Sequence, residues 1–267
     1  MVKIGIVQFK RDRDLEVNLK HAYEILYSIG DVDIVCFPEA WASRSTVSAK
    51  LFEEKILPGI LDGSLGKVVI TGGIFIECNG RVYDLCHIVL NGKVIGCVGK
   101  HFPSRAVGER GYVTPYPDIQ VFTAGNVCFG VLICIDAMYP ELSRILAVKG
   151  ASIIFNPSSI PCNRIGLWRS LGCTRAAENT VFYIFINNTG TTYPDGRLVN
   201  GHSYIASPEG EIVYELSEDE AIGIYSLRLG DIEKVRGRWA YFEDACRLWR
   251  DVDLERVLSR LAESAGL

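Results

Sequence analysis

The feature that most restricts the fold of this chain is a set of nearly unbroken apolar, β-leaning runs. They are "DIVCF" (Asp33 to Phe37), "GVLICI" (Gly130 to Ile135), "ASIIFNPSS" (Ala151 to Ser159) and "VFYIFINN" (Val181 to Asn188). Successive side chains of a strand point to opposite faces, so such runs need cover on both faces. That is the mark of strands buried inside a layered α/β protein. Helical patterns alternate with them. From Asp14 to Ile29, the residues Leu15, Leu19, Ala22, Leu26 and Ile29 recur at steps of four and three and form one apolar stripe. Asp14 is placed to cap it and Gly30 to stop it. Pro140 to Val148, with proline in the first turn, and "LWRSLGCTRAAENT" (Leu167 to Thr180) read as further helices.

Other segments are β with hairpin punctuation. Lys3 to Phe9 is a first strand, and Lys67 to Glu77 reads as one long strand. Val82 to Leu90 and Lys93 to Lys100 flank Asn91-Gly92, a strong two-residue turn signal. Two strands meet at a turn over Ala124 to Asn126, "HSYIASPEGEIVYEL" turns at Glu209-Gly210, and Ala221 to Leu227 is a last strand before a helical tail from Asp251. No linker, repeat or low-complexity segment interrupts the order. Two β layers with helices outside, in one domain over residues 1–267, is the expected architecture.

Composition narrows the function. The net charge of −4, with no basic cluster, argues against a nucleic-acid partner. No stretch approaches the roughly 18 apolar residues of a membrane span, and the short apolar start containing Lys3 reads as a strand, not a leader. A soluble cytoplasmic protein is expected. The nine cysteines are scattered without a Cys-x-x-Cys pair and the four histidines are far apart, so no metal is expected. Most of the cysteines read as small buried hydrophobes.

Glu39, Lys100 and Cys134 are different, because each stands at the end of an apolar strand. Ligands of open α/β sheets gather beyond the carboxyl ends of strands, so three such ends can deliver three reactive groups to one pocket. A thiol is a strong nucleophile once deprotonated. A carboxylate lifted by burial can take its proton. A lysine ammonium and the backbone N–H of Ile135 can hold the oxyanion of a tetrahedral intermediate, one such donor being worth about 3 kcal/mol. Each residue also has a plainer reading: packing for the thiol, capping or arginine pairing for the glutamate, a solvated loop for the lysine.

"FPEA" (Phe37 to Ala40), "GKHFP" (Gly99 to Pro103) and "GVLICIDAMYPELSR" (Gly130 to Arg144) resemble, in order, the three motifs of the nitrilase superfamily of carbon–nitrogen hydrolases. The likeness extends over nearly the whole chain, through Asn18, "ERGYVTP", "NPSS", "TRAAEN" and "GHSYIASPEGEIV". It implies a four-layer αββα sandwich, homodimers or higher homo-oligomers, and no cofactor. It assigns the catalytic triad to Glu39, Lys100 and Cys134 and a second pocket glutamate to Glu109. It also implies a thioester on Cys134, released by water with Glu39 as general base. Ile135-Asp136 after the cysteine is similar to the amidase and carbamoylase branches and unlike the Trp-Glu of nitrile hydrolysers. A small linear amide is therefore the expected substrate, with an N-carbamoyl amide or a nitrile as alternatives. Carbamoylases acting on amino acids often carry arginine just after that aspartate. Ala137 and Met138 stand here instead, which argues against an anionic substrate held at that spot, although Arg105, Arg110 or Arg164 could still supply charge from loops. Trp41, Tyr112, Tyr139 and Trp168 are candidates for the pocket wall.

Two rivals remain at this level. One is a Cys-His hydrolase using His101 or His202. Neighbours in an extended segment face opposite ways, so a pocket-facing Lys100 turns His101 away. The other is a non-catalytic scaffold with a vestigial pocket.

Overall fold

The structure, a computed structural model, describes residues 1–251; the expected helical tail beyond Asp251 lies outside them. The first sheet has eight strands. Laterally they run Ala221–Leu227, Val2–Gln8, Ile34–Cys36, Val68–Ile70, Arg81–Leu90, Ile74–Cys78 and Val47–Ser48, with Lys93–Gly99 also paired to Arg81–Leu90. The second has six: Ile212–Glu215, Tyr204–Ala206, Phe182–Asn187, Ile153–Ser158, Val127–Val131 and Val121–Ala124. Each sheet has a parallel centre, Val2–Gln8 with Ile34–Cys36 and Val68–Ile70 in one, and Val127–Val131 with Ile153–Ser158 and Phe182–Asn187 in the other. Antiparallel strands flank both.

Strand alternation explains the layering. Ile4, Ile6, Ile34, Cys36, Val68, Ile70, Cys86 and Ile88 share one buried cluster with Phe129, Val131, Ile153 and Ile184 of the second sheet. Their neighbours Val7, Val35, Val69 and Val89 point the other way, onto Leu19 and Leu26 of the helix Leu15–Ser28 and onto Phe52, Ile56 and Ile60. On the far side, Leu142 and Leu146 of Pro140–Val148 and Trp168 and Ala176 of Ile165–Asn179 close over the second sheet. The order helix, sheet, sheet, helix is the four-layer αββα sandwich. Each fully buried aliphatic side chain contributes about 1.5–3 kcal/mol of transfer free energy. Among the described residues no helix is long and apolar enough to cross a membrane.

The structure divides one strand that the sequence reading left whole and adds helices that reading did not assign. The single strand expected over Lys67 to Glu77 is two, Val68–Ile70 and Ile74–Cys78. Gly72 between them has φ +68°, and a Cβ there would lie 2.0 Å from the Pro38 carbonyl oxygen. The chain breaks to let the "FPEA" loop pass. Residues 49–63 form a helical run (Ala49–Leu51, Phe52–Ile56, Leu57–Gly63) widened to π geometry at its centre. Pro58, Gly59 and Gly63 look like helix breakers, but Cβ atoms at Gly59 and Gly63 would sit 2.4 Å and 2.7 Å from Tyr23 and Leu26. The glycines permit close packing against the first helix. Helices Gly230–Arg238 and Tyr241–Asp251 follow the last strand.

Candidate active site

The carboxyl ends of three strands, two of them parallel and one antiparallel, lead to the candidate residues. Glu39 follows Ile34–Cys36, Lys100 follows Lys93–Gly99, and Cys134 opens a tight turn, Cys134–Met138, after Val127–Val131. Ala40, next to Glu39, and Cys134 have φ +54° and +51°. Such conformations cost a non-glycine residue about 1–2 kcal/mol and persist only where surrounding contacts impose them.

Those contacts are present at both loops. Asn156 Nδ2 donates to the carbonyls of Leu132 (2.6 Å) and Cys134 (3.1 Å), holding the cysteine turn onto the neighbouring strand. The Ala40 N–H donates to Gly73 at 2.6 Å, Arg11 Nη1 to the Ala40 carbonyl at 2.9 Å, and Asn188 Nδ2 to the Glu39 carbonyl at 2.5 Å. Fully buried Asp136 accepts the backbone N–H groups of His101 and Phe102, both at 2.9 Å, so it ties the lysine loop to the cysteine loop. His101 accordingly sits against Asp136, with Nδ1 at 3.4 Å.

Lys100 Nζ is the hub. It lies 2.5 Å from Glu39 Oε1, 2.9 Å from both Glu109 oxygens and 3.1 Å from Asp84 Oδ2, and the side chain is buried. The Ser104 N–H donates to Glu109 Oε2 at 2.6 Å. One ammonium thus faces three carboxyl groups. Burial works against its charge, but Glu39, Asp84, Cys134 and Glu109 outweigh it and hold the lysine well above its ordinary range. Asp84 is pushed well up by burial and by the charges of Glu39 and Glu109, which Lys100 only partly offsets. Burial likewise lifts Glu109. The Cys134 thiol is raised well above its ordinary value, first by burial and then by Glu39, against the pull of Lys100. These surroundings favour the neutral thiol.

Glu39, Glu109, Cys134 and Ile135 lie at one cleft of about 360 Å³, whose wall includes Trp168, Ile160 and Tyr193. The structure thus brings Glu39, Lys100, Cys134, Glu109, Ile135 and Trp168 together. Tyr112 and Tyr139 are not among the residues lining the cleft, although Tyr112 stands near enough to Glu109, Lys100 and Asp84 for their charges to act on its hydroxyl. The Tyr112 ring lies 6.1 Å from that of Phe75, and Tyr139 leaves its turn in extended conformation to pack 4.0 Å from Phe102. Trp41 is in the core, 5.0 Å from Phe37, with Nε1 donating to the Thr71 carbonyl. Asp84 was not anticipated, yet it had a signal: an acid in the middle of the apolar strand "VYDLCHIVL". Such a group is buried only with a partner, and a Cβ at Gly73 would reach 2.4 Å from its Oδ1. Arg11, Asn156 and Asn188 act through backbone carbonyls and left no such mark.

Residues 3–237 match the carbon–nitrogen hydrolase family. The chain is 29% identical over 258 residues to an (R)-stereoselective amidase of a Pseudomonas species, covering 91% of both chains. It is 29% identical over 180 residues to the 2-oxoglutaramate amidase of Bacillus subtilis, covering 67% of this chain and 69% of that one. In fold it is similar to the carbon–nitrogen hydrolase superfamily protein XC1258 of Xanthomonas campestris (TM-score 0.82, 18% identity, 91% and 96% of the two chains). It is also similar to Nit3 of Saccharomyces cerevisiae, of the nitrilase superfamily (TM-score 0.78, 23% identity, 89% and 93%). With its family match spanning nearly the whole sandwich, the chain belongs to the carbon–nitrogen hydrolase family.

Proposed function

We propose that this protein hydrolyses the carbon–nitrogen bond of a small linear amide through a thioester on Cys134. The observation that carries the reading is the Lys100 hub, with the ammonium held by Glu39, Glu109 and Asp84 directly behind the cleft that Glu39, Glu109 and Cys134 line. As Cys134 Sγ bonds to the amide carbon, its proton passes to Glu39. The carbonyl oxygen takes the negative charge against Lys100 Nζ and the N–H of Ile135, a helix start whose first donors lack intrahelical partners. Collapse breaks the C–N bond, and Glu39 returns the proton to the departing ammonia or amine. Water then attacks the thioester, giving one proton to Glu39, and the carboxylic acid leaves as that proton returns to sulfur. Glu109 keeps Lys100 aimed at the cleft. The amide reading rests also on the amidase names of the relatives.

The test is acid-quench mass spectrometry with ammonia release over short amides and matched nitriles. An acyl adduct on Cys134, no turnover by Cys134→Ala, and amides far ahead of nitriles are expected. Ammonia release that survives Cys134→Ala would overturn the mechanism, and efficient nitrile turnover would overturn the substrate class.

A further inference from the structure

Three carboxyl groups surround the Lys100 ammonium, and its donors do not reach them equally. Glu39 Oε1 receives Nζ at 2.5 Å, and both Glu109 oxygens receive it at 2.9 Å. Glu109 Oε2 also accepts the Ser104 N–H. Asp84 Oδ2 lies 3.1 Å from Nζ, yet neither Asp84 oxygen has a hydrogen-bond donor directed at it among the described residues. Its side chain is wholly buried. The backbone nevertheless makes room for it. A Cβ at Gly73 would stand 2.4 Å from Asp84 Oδ1 and 3.2 Å from Glu39 Cγ, so the bare glycine lets the two acidic side chains approach one another. The Lys100 N–H donates to the Asp84 carbonyl at 2.9 Å, which sets the root of the lysine against the root of the acid.

Charge decides which group holds a proton. Fully ionised, three carboxylates against one ammonium would leave two unbalanced negative charges in the interior. A buried ion short of hydrogen bonds is far costlier than a neutral group in the same place. The proton therefore belongs on the carboxyl with the poorest supply of donors, which is Asp84. Cys86 on its own strand and Tyr112 after the Glu109 turn also feel the Asp84 charge, and neither offers it a cation.

From this geometry we infer that Asp84 holds the resting proton of the site, a neutral carboxylic acid behind Lys100 that leaves Glu39 and Glu109 ionised. Burial and the charges of Glu39 and Glu109 push its titration upwards, in the direction this requires. The role is that of a positioning residue. A neutral Asp84 does not compete for Nζ, so the ammonium stays turned to Glu39 and Glu109, and Glu39 stays free to take the thiol proton. The kinetic consequence rests on the amide-hydrolase reading above; the protonation itself needs no substrate.

Infrared spectroscopy of the resting protein at pH 7 is the direct test. A protonated-carboxyl stretch is expected, shifted when the aspartate side-chain carboxyls carry carbon-13 and missing in Asp84→Asn. Circular dichroism checks the fold, and Asp84→Ala serves as a second deletion. Urea unfolding adds an independent readout. An acid whose folded pKa lies above its unfolded one subtracts stability as pH rises between the two, so the unfolding constant of the parent, relative to Asp84→Asn, should rise by up to about tenfold per pH unit from pH 5 to pH 7. With an amide substrate, Asp84→Ala should lower kcat by about 10- to 100-fold, the scale of a displaced reacting group, and Asp84→Asn should restore the greater part, because it returns a neutral group to the same space. No label-sensitive band, or a relative unfolding constant that ignores pH, would overturn the inference whatever the activity. So would an Asp84→Asn variant as slow as Asp84→Ala with the acid limb of its kcat/KM profile moved to lower pH, since that marks a lost charge. A band that Asp84→Asn removes, in a protein that turns over no amide, would uphold the protonation and remove the amidase reading.

Discussion

Replacing Lys100 with methionine removes one charge at nearly constant volume and leaves Glu39, Asp84 and Glu109 facing one another in the interior. Breaking a buried ion pair on one side typically costs about 3–5 kcal/mol, and the titration of the cluster gives an independent figure. Without the ammonium, at least one further carboxyl must stay protonated at pH 7. A carboxyl with an ordinary value near 4 loses about 1.4 kcal/mol per pH unit in that state, or about 4 kcal/mol at pH 7 and about 1–2 kcal/mol at pH 5. The sign follows from proton binding. A carboxyl whose folded value lies above its unfolded one binds protons more tightly in the native state, so it subtracts stability as pH rises from the unfolded value towards the folded one. Asp84 and Glu109 are already displaced in that direction in the parent, and the variant extends it. Urea unfolding of parent and Lys100→Met at pH 5 and pH 7 measures the difference. The gap should be two- to threefold larger at pH 7, and loss of an oxyanion donor should lower kcat by about 100- to 1,000-fold. A variant as stable as the parent at pH 7, or a gap independent of pH, would refute the buried hub as described.

Further outcomes follow from other contacts. Alkylation of Cys134 by iodoacetamide should be slow at pH 7, slower than at exposed Cys162, and should rise with pH to beyond 9, since burial and Glu39 hold the thiol up; peptide mapping after timed quenching measures it. Asp136→Ala, which strands the N–H groups of His101 and Phe102, should cost about 2–4 kcal/mol in chemical denaturation. His101→Ala, by contrast, should retain kcat within a few-fold, because its ring faces Asp136 and not the cleft. Gly72→Ala places a Cβ 2.0 Å from the Pro38 oxygen at φ +68° and should cost more than about 3 kcal/mol, whereas Gly196→Ala, at φ +87° in open space, should cost about 1 kcal/mol; thermal melts separate them.

Much of the layering was legible because burial on both faces forces apolar residues into consecutive positions. "VFYIFINN" became Phe182–Asn187 and "ASIIFNPSS" became Ile153–Ser158, each paired in parallel as that composition requires. Helix ends were legible where a side chain does the capping, as Asp14 does in accepting the Glu16 N–H at 2.8 Å. Residues 49–63 were not, because Pro58 and Gly59 have the same local appearance in a loop and in a helix packed tightly on Tyr23. The division of Lys67 to Glu77 was hidden for a related reason: Gly72 answers to Pro38, more than thirty residues away.

The order of three motifs along the chain pointed to the family, which the match over residues 3–237 bears out, and named Cys134, Glu39 and Lys100 as the candidates through that resemblance. What tertiary structure alone decided was the electrostatic state of the site. Asp84 joins Lys100 only because its strand pairs beside Lys93–Gly99, and the rings of Tyr112 and Tyr139 pack on Phe75 and Phe102 instead of lining the cleft. Arg164, Arg197 and Arg44 gather around one wall from three distant segments. Charge acts through distance in space and through the dielectric between groups, and neither quantity is written in the spacing of residues along a chain.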